Sequence, residues 1–187
     1  MTVALASPSR LRDGEVTVLP VDGGVAALLV AASHDEEIVR WTQVPPDMSL
    51  MDAGLVAAGW ASSRRSIRMQ VCVPQLTPVG MVTLWVNEGG DAEVGYWLLR
   101  QARGQGVARR AVRLLCDWSF AACEIERIQL TTLPGNVASE RVAVACGFRE
   151  TGTTGRSVQG EPRTLRLFER GRSHGSAAGG LREDIGT

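Results

Sequence analysis

The chain contains no lysine. Its 20 basic residues are all arginine, and 20 acidic residues balance them to a formal net charge of zero. Without a lysine amine there is no Schiff base, no pyridoxal-phosphate linkage and no phosphate-gripping P-loop lysine. Zero net charge also argues against a chain that wraps nucleic acid, since such domains usually carry a basic excess. Small molecules and proteins are the expected partners, with no nucleic acid and no membrane among them. Histidine is scarce: the two copies, His34 and His174, have no partner in sequence and read as surface or capping residues. The four cysteines, Cys72, Cys116, Cys123 and Cys146, form no CxxC pair and have no histidine near them, so no metal is expected and buried free thiols are the natural reading. No apolar run approaches about 18 residues, and the start MTVALASPSRLRDG has neither the basic opening nor the continuous apolar stretch of a secretion signal. A cytoplasmic protein is expected.

What is present is enough for one core: 187 residues, 44% of them apolar. Residues 1–12 read as a loose arm and 171–187, rich in Gly, Ser and Ala, as a flexible tail, leaving one domain over 13–170. Within it, a strand is expected at 15–19 and a helix over 22–32 with Asp22 as its cap. A short helical piece over 35–41 runs into Pro45 and Pro46, which end it. A helix over 49–63 carries Leu50, Ala53, Ala57 and Trp60 at helical spacing. The period then changes to two: 67–73, 78–86 and 93–99 read as three strands in a meander, with a turn at 74–77 and a hairpin loop at 87–91. A long helix over 104–122 presents Val107, Ala111, Leu114, Leu115, Trp118 and Ala122 on one face. A strand over 128–132, a helix over 137–146 closed by Gly147, and strands at 148–151 and 164–169 complete the order. The class is mixed α/β, of the α+β kind: a central sheet of about six or seven strands, antiparallel on its N-terminal side, with flanking helices.

Chemistry concentrates in EVGYWLLRQARGQGVA, which puts a glycine-containing turn between a strand and the long helix. The first amides of a helix have no internal acceptor and lie at the positive end of its dipole, so such a turn suits an anion. Gly104 and Gly106 let the backbone approach it closely, although a GxG corner also serves as a simple tight turn. Between Val94 and Cys116 there are five arginines, Arg100, Arg103, Arg109, Arg110 and Arg113, and no acid, so the neutral chain is locally cationic where the amides are free. Downstream, Asn136 and Ser139 sit at the start of the next helix, where capping is their ordinary role.

QARGQG (Gln101 to Gly106) resembles the QxxGxG/A signature of the Gcn5-related N-acetyltransferases, the GNAT superfamily. AEVGYWL before it, the arginine-rich helix ending in DWSF, RIQLTT and NVASERVAVACGF after it are similar to the branch typified by the bacterial RimJ and RimL protein N-terminal acetyltransferases. The resemblance spans roughly 13–170 and is strongest from Glu93 to Phe148. It implies the GNAT fold, with a bulge that splays two strands to hold acetyl-coenzyme A as cosubstrate. It further implies that the amides of Arg103, Gly104, Gln105, Gly106, Val107 and Ala108 cradle the pyrophosphate, and that the backbone of Trp97, Leu98 and Leu99 pairs with the pantetheine arm. Asn136 matches the asparagine that touches that arm, and an amide of Leu98 or Leu99 would polarise the thioester carbonyl.

By the same resemblance, Glu93 matches a strand glutamate that draws the amine proton, usually through water; on residue pattern alone it is equally a solvated hairpin side chain. The tyrosine that many members use as general acid is replaced by Ala143, and Tyr96, the only tyrosine, lies on another element. RimL-like relatives place a serine where Ser139 stands, which makes Ser139 either the thiolate partner or a cap. The acceptor pocket would involve Trp41, Met48, Met51 and Trp60, residues that at helical spacing also suit a core, and Glu161 in the loop before the last strand. The implied activity is direct acetyl transfer to a primary amine in a ternary complex. The acceptor is a protein N-terminal amine or, alternatively, a small amine such as an amino sugar antibiotic or an amino acid; a catalytically degenerate acyl-coenzyme A sensor is the reading from another class. Dimers are common among such relatives, so a homodimer is one assembly the resemblance allows.

Overall fold

The computed structural model describes residues 5, 7–61, 65–74, 76–86 and 91–172. In chain order they form β1 (Leu11–Asp13), β2 (Val16–Pro20), α1 (Val25–Ser33), α2 (Glu36–Trp41), α3 (Leu50–Ala61), β3 (Ser66–Val73), β4 (Leu76–Val86) and β5 (Ala92–Leu98). A 3-10 turn (Arg100–Ala102) then leads to α4 (Val107–Ala122), β6 (Arg127–Thr132), α5 (Val137–Ala145), β7 (Arg149–Val158) and β8 (Glu161–Gly171). The eight strands make one sheet in the order β1-β2-β3-β4-β5-β6-β8-β7, antiparallel throughout except for the β5–β6 pair.

The sheet therefore has one strand more than the upper count expected from sequence, and its last two strands are longer than expected. β1 is only three residues long, too short for alternation to register, yet Leu11 is buried in the core; the expected loose arm gives way to structure there. β7 and β8 extend well beyond 148–151 and 164–169 because β7 (RETGTTGRSV) is a mostly exposed edge strand with almost no apolar side chains to betray it. The hairpin loop at 87–91, apart from Asp91, and His174 with the rest of the tail lie outside the described residues.

Helix faces follow the apolar periodicity with local corrections. α4 buries Val107, Ala111, Leu114, Leu115 and Trp118, whereas Ala122 is exposed in its last turn. α3 buries Ala53 and half-buries Trp60, but Leu50 stands 64% exposed at the helix start. Asp22 does not cap α1, whose N-cap is Gly24; its Oδ1 instead accepts from the Gly24 amide at 2.8 Å and its Oδ2 from Gln70 Nε2 at 3.0 Å, tying the turn to β3. α2 is capped by Asp35, which accepts from the amides of Glu37 and Ile38, each at 3.2 Å. All four cysteines are buried free thiols, and burial pushes the pKa of each upward.

Both faces of the sheet are covered at its centre. Val82 and Leu84 of β4 pack into the cluster that contains α4, while Met81 joins the cluster built by α1, α2 and α3. Both faces of β4 and β5 are buried in this way, and the C-terminal end of β5 lies between the two helical layers, with Leu98 in one cluster and Trp97 against the other.

Candidate active site

β5 is fully paired on one side and only briefly on the other. With β4 its register runs unbroken from Val86↔Ala92 to Gly80↔Leu98, whereas with β6 it shares just Ala92↔Ile128 and Glu93↔Gln129. β6 then continues along β8 to Thr132↔Arg166 and leaves one edge of β5 open. The expected bulge is absent from the β4–β5 pairing; the register shift nearby lies between Val71 and Val73 of β3. The splay arises instead from the divergence of β6.

The open edge determines which backbone groups are available. The Leu99 amide donates to the Val79 carbonyl at 2.8 Å, which removes Leu99 as a donor to a bound thioester. In an antiparallel pair successive N–H groups point to opposite sides, so Trp97, like Leu99, faces β4, and Leu98 turns its amide to the open edge. Across the gap, Thr132 Oγ1 of β6 is buried and has no hydrogen-bond partner. An orphaned hydroxyl opposite an unpaired strand edge suits an arm that carries amides of its own. Both groups line one cavity of about 810 Å³ that runs from the start of α4 to the far side of β5.

At the α4 end, Gly104 (φ 76°) and Gly106 (φ 74°) are left-handed on either side of Gln105, and Gly106 is the helix N-cap. Alternating hand turns successive amides toward one concavity, a nest for an anion. The Arg103 amide is not part of it, because it donates to the Arg100 carbonyl in the 3-10 turn. The first α-type bond runs from Arg110 N to Gly106 O, which leaves the amides of Val107 and Ala108 free of helical acceptors. Gln105 folds its side chain back to the Gln101 carbonyl at 3.0 Å.

The five arginines do not form one cluster. Arg103 donates to the Leu98 carbonyl at 2.9 Å and pairs with Asp35 at 2.8 Å, locking the turn onto α2. Arg113 donates to the Ala145 carbonyl on α5. Of those on α4 only Arg109 reaches the cavity, because a helical period fans adjacent arginines around the axis.

The proposed chemical residues are brought together. Glu93 is 1% exposed, so it is no solvated hairpin side chain. Arg156 of β7 grips it through both oxygens, at 2.9 and 2.6 Å, and Thr131 Oγ1 donates to it at 2.8 Å. A carboxylate has about four lone-pair sites, so one remains for water or an amine. Asn136 caps α5 by accepting from the Ser139 amide at 3.1 Å, and both residues line the cavity. Tyr96, although on β5 rather than α5, reaches Ser139: the two hydroxyls lie 3.1 Å apart. Burial pushes the Tyr96 pKa up to about 12, partly opposed by that hydrogen bond, so Tyr96 stays protonated and can orient Ser139 as a donor.

Trp41, Met48 and Trp60 line the acceptor side as expected. Met51 does not: it is 75% exposed on α3. Glu161 is exposed at the start of β8 and lies outside the cavity lining, and His34 caps the C-terminus of α1.

Residues 18–149 match the Acetyltransferase (GNAT) domain family. The chain belongs to this family. YdaF of Bacillus subtilis (strain 168), named as a candidate ribosomal N-acetyltransferase, is 34% identical over 127 residues, covering 65% of this chain and 59% of that protein. The chain spans about half the length of the curated relatives it matches, 46% and 59% for two of them. Among solved structures, Mycobacterium smegmatis RimJ in complex with CoA-disulfide is similar at 26% identity and a TM-score of 0.73, covering 87% of this chain and 85% of that one. Spermidine N-acetyltransferase from Vibrio cholerae, in complex with CoA and spermine, shares the fold at 18% identity and a TM-score of 0.74, over 86% of this chain and 97% of that one.

Four features of this GNAT site escape the sequence: Arg156, Thr131, Thr132 and the Tyr96–Ser139 contact. Each depends on strands far apart in the chain. One signal was present, since four of the five tryptophans, Trp41, Trp60, Trp85 and Trp97, line this single cavity.

Proposed function

We propose that the protein is an acetyl-coenzyme A dependent N-acetyltransferase that modifies a primary amine by direct attack, the acceptor being a protein N-terminal amine. The observation that supports it most is continuity: one cavity joins the glycine nest, the open edge of β5 and the Glu93 carboxylate. The RimJ and YdaF likenesses point the same way. When bound, the cosubstrate supplies an acetyl group and leaves as a thiol. The amides of Gly104 to Ala108 hold its pyrophosphate, while Leu98, Thr132 and Asn136 meet the pantetheine arm. The Leu98 amide stabilises charge on the thioester oxygen. Glu93, fixed by Arg156 and Thr131, accepts the amine proton through water, and Ser139, oriented by Tyr96, donates a proton to the departing sulfur. We place this reaction in the cytoplasm, in keeping with four free thiols.

A small-amine acceptor is the second reading, supported by the spermine-bound fold relative. The lining opposes a polycation, however, since Arg68, Arg103, Arg109, Arg141 and Arg156 outnumber Glu37 and Glu93. Thiol release from acetyl-coenzyme A, measured against N-terminal peptides and against amino sugars, amino acids and polyamines, separates these readings. Tight cofactor binding without turnover on any amine would instead indicate a sensor. Gly106→Trp, which fills the nest, should abolish cofactor binding, and unchanged affinity would remove the assignment of this turn.

A further inference from the structure

We infer that Arg68 forms an anion-binding subsite in the acceptor half of the cavity, so that the preferred acceptor is an amine with a carboxylate a few bonds from its nitrogen. This rests on the N-acetyltransferase reading of the cavity. Cross-strand register sets three rows of side chains on one face of the sheet: Ser66, Trp85 and Glu93; Arg68, Thr83 and Gly95; Gln70, Met81 and Trp97. Arg68 thus lies two strands from Glu93 and one row nearer the end of β5. With strands ~4.8 Å apart and a rise of ~3.3 Å per residue, their Cα atoms are about 12 Å apart, a span that two side chains and a small acceptor fill.

The state of Arg68 marks it as incomplete. It is half-buried, lines the cavity beside Trp60, and its guanidinium lies 5.0 Å over the Trp60 ring. Nη1 donates to Ser66 Oγ in a short contact. Elsewhere in the cavity Arg156 is paired with Glu93 and Arg103 with Asp35, while Arg109 and Arg141 are exposed; Arg68 is half-buried and has no carboxylate within ion-pair distance among the described residues. Burial lowers its pKa, and among the described residues no carboxylate offsets the loss. A desolvated cation with unused donors in a cavity wall is completed by a ligand anion. That anion is not the pyrophosphate, whose nest lies beyond the end of β5, whereas the Arg68 row meets β5 at Gly95.

The carboxylate can be the α-carboxylate of a free amino acid or an acidic side chain early in a peptide. Two matched pairs distinguish them: an amino acid against its carboxamide, and a peptide with Glu second against the same peptide with Gln second. The enzyme should favour the carboxylate member of one pair by about ten-fold or more in kcat/KM, chiefly through KM, and Arg68→Gln should bring that ratio to about one. Arg68→Lys, which keeps charge but loses the planar fork, should retain part of the preference and serves if Arg68→Gln does not fold. Binding of the four N-acetylated products, followed by tryptophan fluorescence without acetyl-coenzyme A, reads the subsite independently of turnover. Equal affinity for carboxylate and amide in both pairs, or a preference that survives in Arg68→Gln, overturns the inference. Discrimination among products with no acetyl transfer to any amine overturns the N-acetyltransferase reading and leaves the subsite standing.

Discussion

Gly80→Ala should damage both the fold and the cosubstrate slot, through one methyl group. A Cβ on Gly80 would lie 2.3 Å from the Trp97 carbonyl oxygen, 2.6 Å from Leu98 Cδ2 and 2.9 Å from Leu98 Cα, against 3.4–4 Å for ordinary contact. Two of these three atoms are backbone, so no rotamer change relieves the clash, and β5 must retreat by about 1 Å. Overpacking of this kind costs about 1–3 kcal/mol. At this chain length each kcal/mol lowers Tm by about 2–4 °C. The displaced segment carries the Leu98 amide, and a misplacement of ~1 Å at a reacting centre lowers turnover by ~100-fold. Gly104→Ala provides the contrast: no atom lies within 4 Å of its added methyl, but φ is +76°, so the cost is left-handed strain of about 1–2 kcal/mol at the nest. Urea denaturation and calorimetric titration with coenzyme A measure both effects. Wild-type stability together with wild-type affinity in Gly80→Ala would refute the argument that the close approach of β4 and β5 shapes the slot.

Other outcomes follow from the same contacts. Glu93→Gln should lower turnover mainly at pH values where the acceptor amine is protonated, with the deficit shrinking as pH rises; an unaltered pH–rate profile removes Glu93 from the mechanism. Tyr96→Phe should reduce kcat by freeing the Ser139 hydroxyl to point elsewhere, at a stability cost of about 1 kcal/mol for one hydrogen bond; kcat equal to wild type shows that Ser139 needs no orienting partner. For Asp35, burial acts to raise the pKa, but hydrogen bonds from Arg103 and the Ile38 and Glu37 amides, with the charge of Arg103, outweigh it and hold the carboxyl below its usual range. A depressed folded pKa stabilises above the unfolded value of about 3.9 and is lost as pH falls through the folded one. Asp35→Asn should therefore be less stable than wild type at pH 6, by about 1 kcal/mol, and the gap should close below about pH 4 in urea titrations. A gap independent of pH means the pair contributes nothing electrostatic.

Local chemistry and periodicity determined much of this protein. The tight turn at Gly104 and Gly106, the Asn136 cap and the amphipathic stripe of α4 depend on neighbours within a few residues, so sequence alone carries them. The QARGQG turn announces an anion site for the same reason. The start of β7 was legible at 148–151, but its continuation to Val158 was not, because this edge strand is mostly exposed and carries almost no apolar side chains. The five arginines between Val94 and Cys116 do not converge, because charge counted along a chain ignores the helical turn that fans those on α4 apart. Only tertiary structure decided the pairing of Glu93 with Arg156, the reach of Tyr96 to Ser139, the loss of the Leu99 amide to Val79 and the placing of Arg68 in the cavity wall with no carboxylate partner among the described residues. Each of these joins strands or helices that are distant in sequence, and their meeting depends on register and on where β6 parts from β5. The absence of lysine leaves arginine and backbone amides as the main anion-binding groups; the fold decides which of the described arginines are already paired with a carboxylate and which are not.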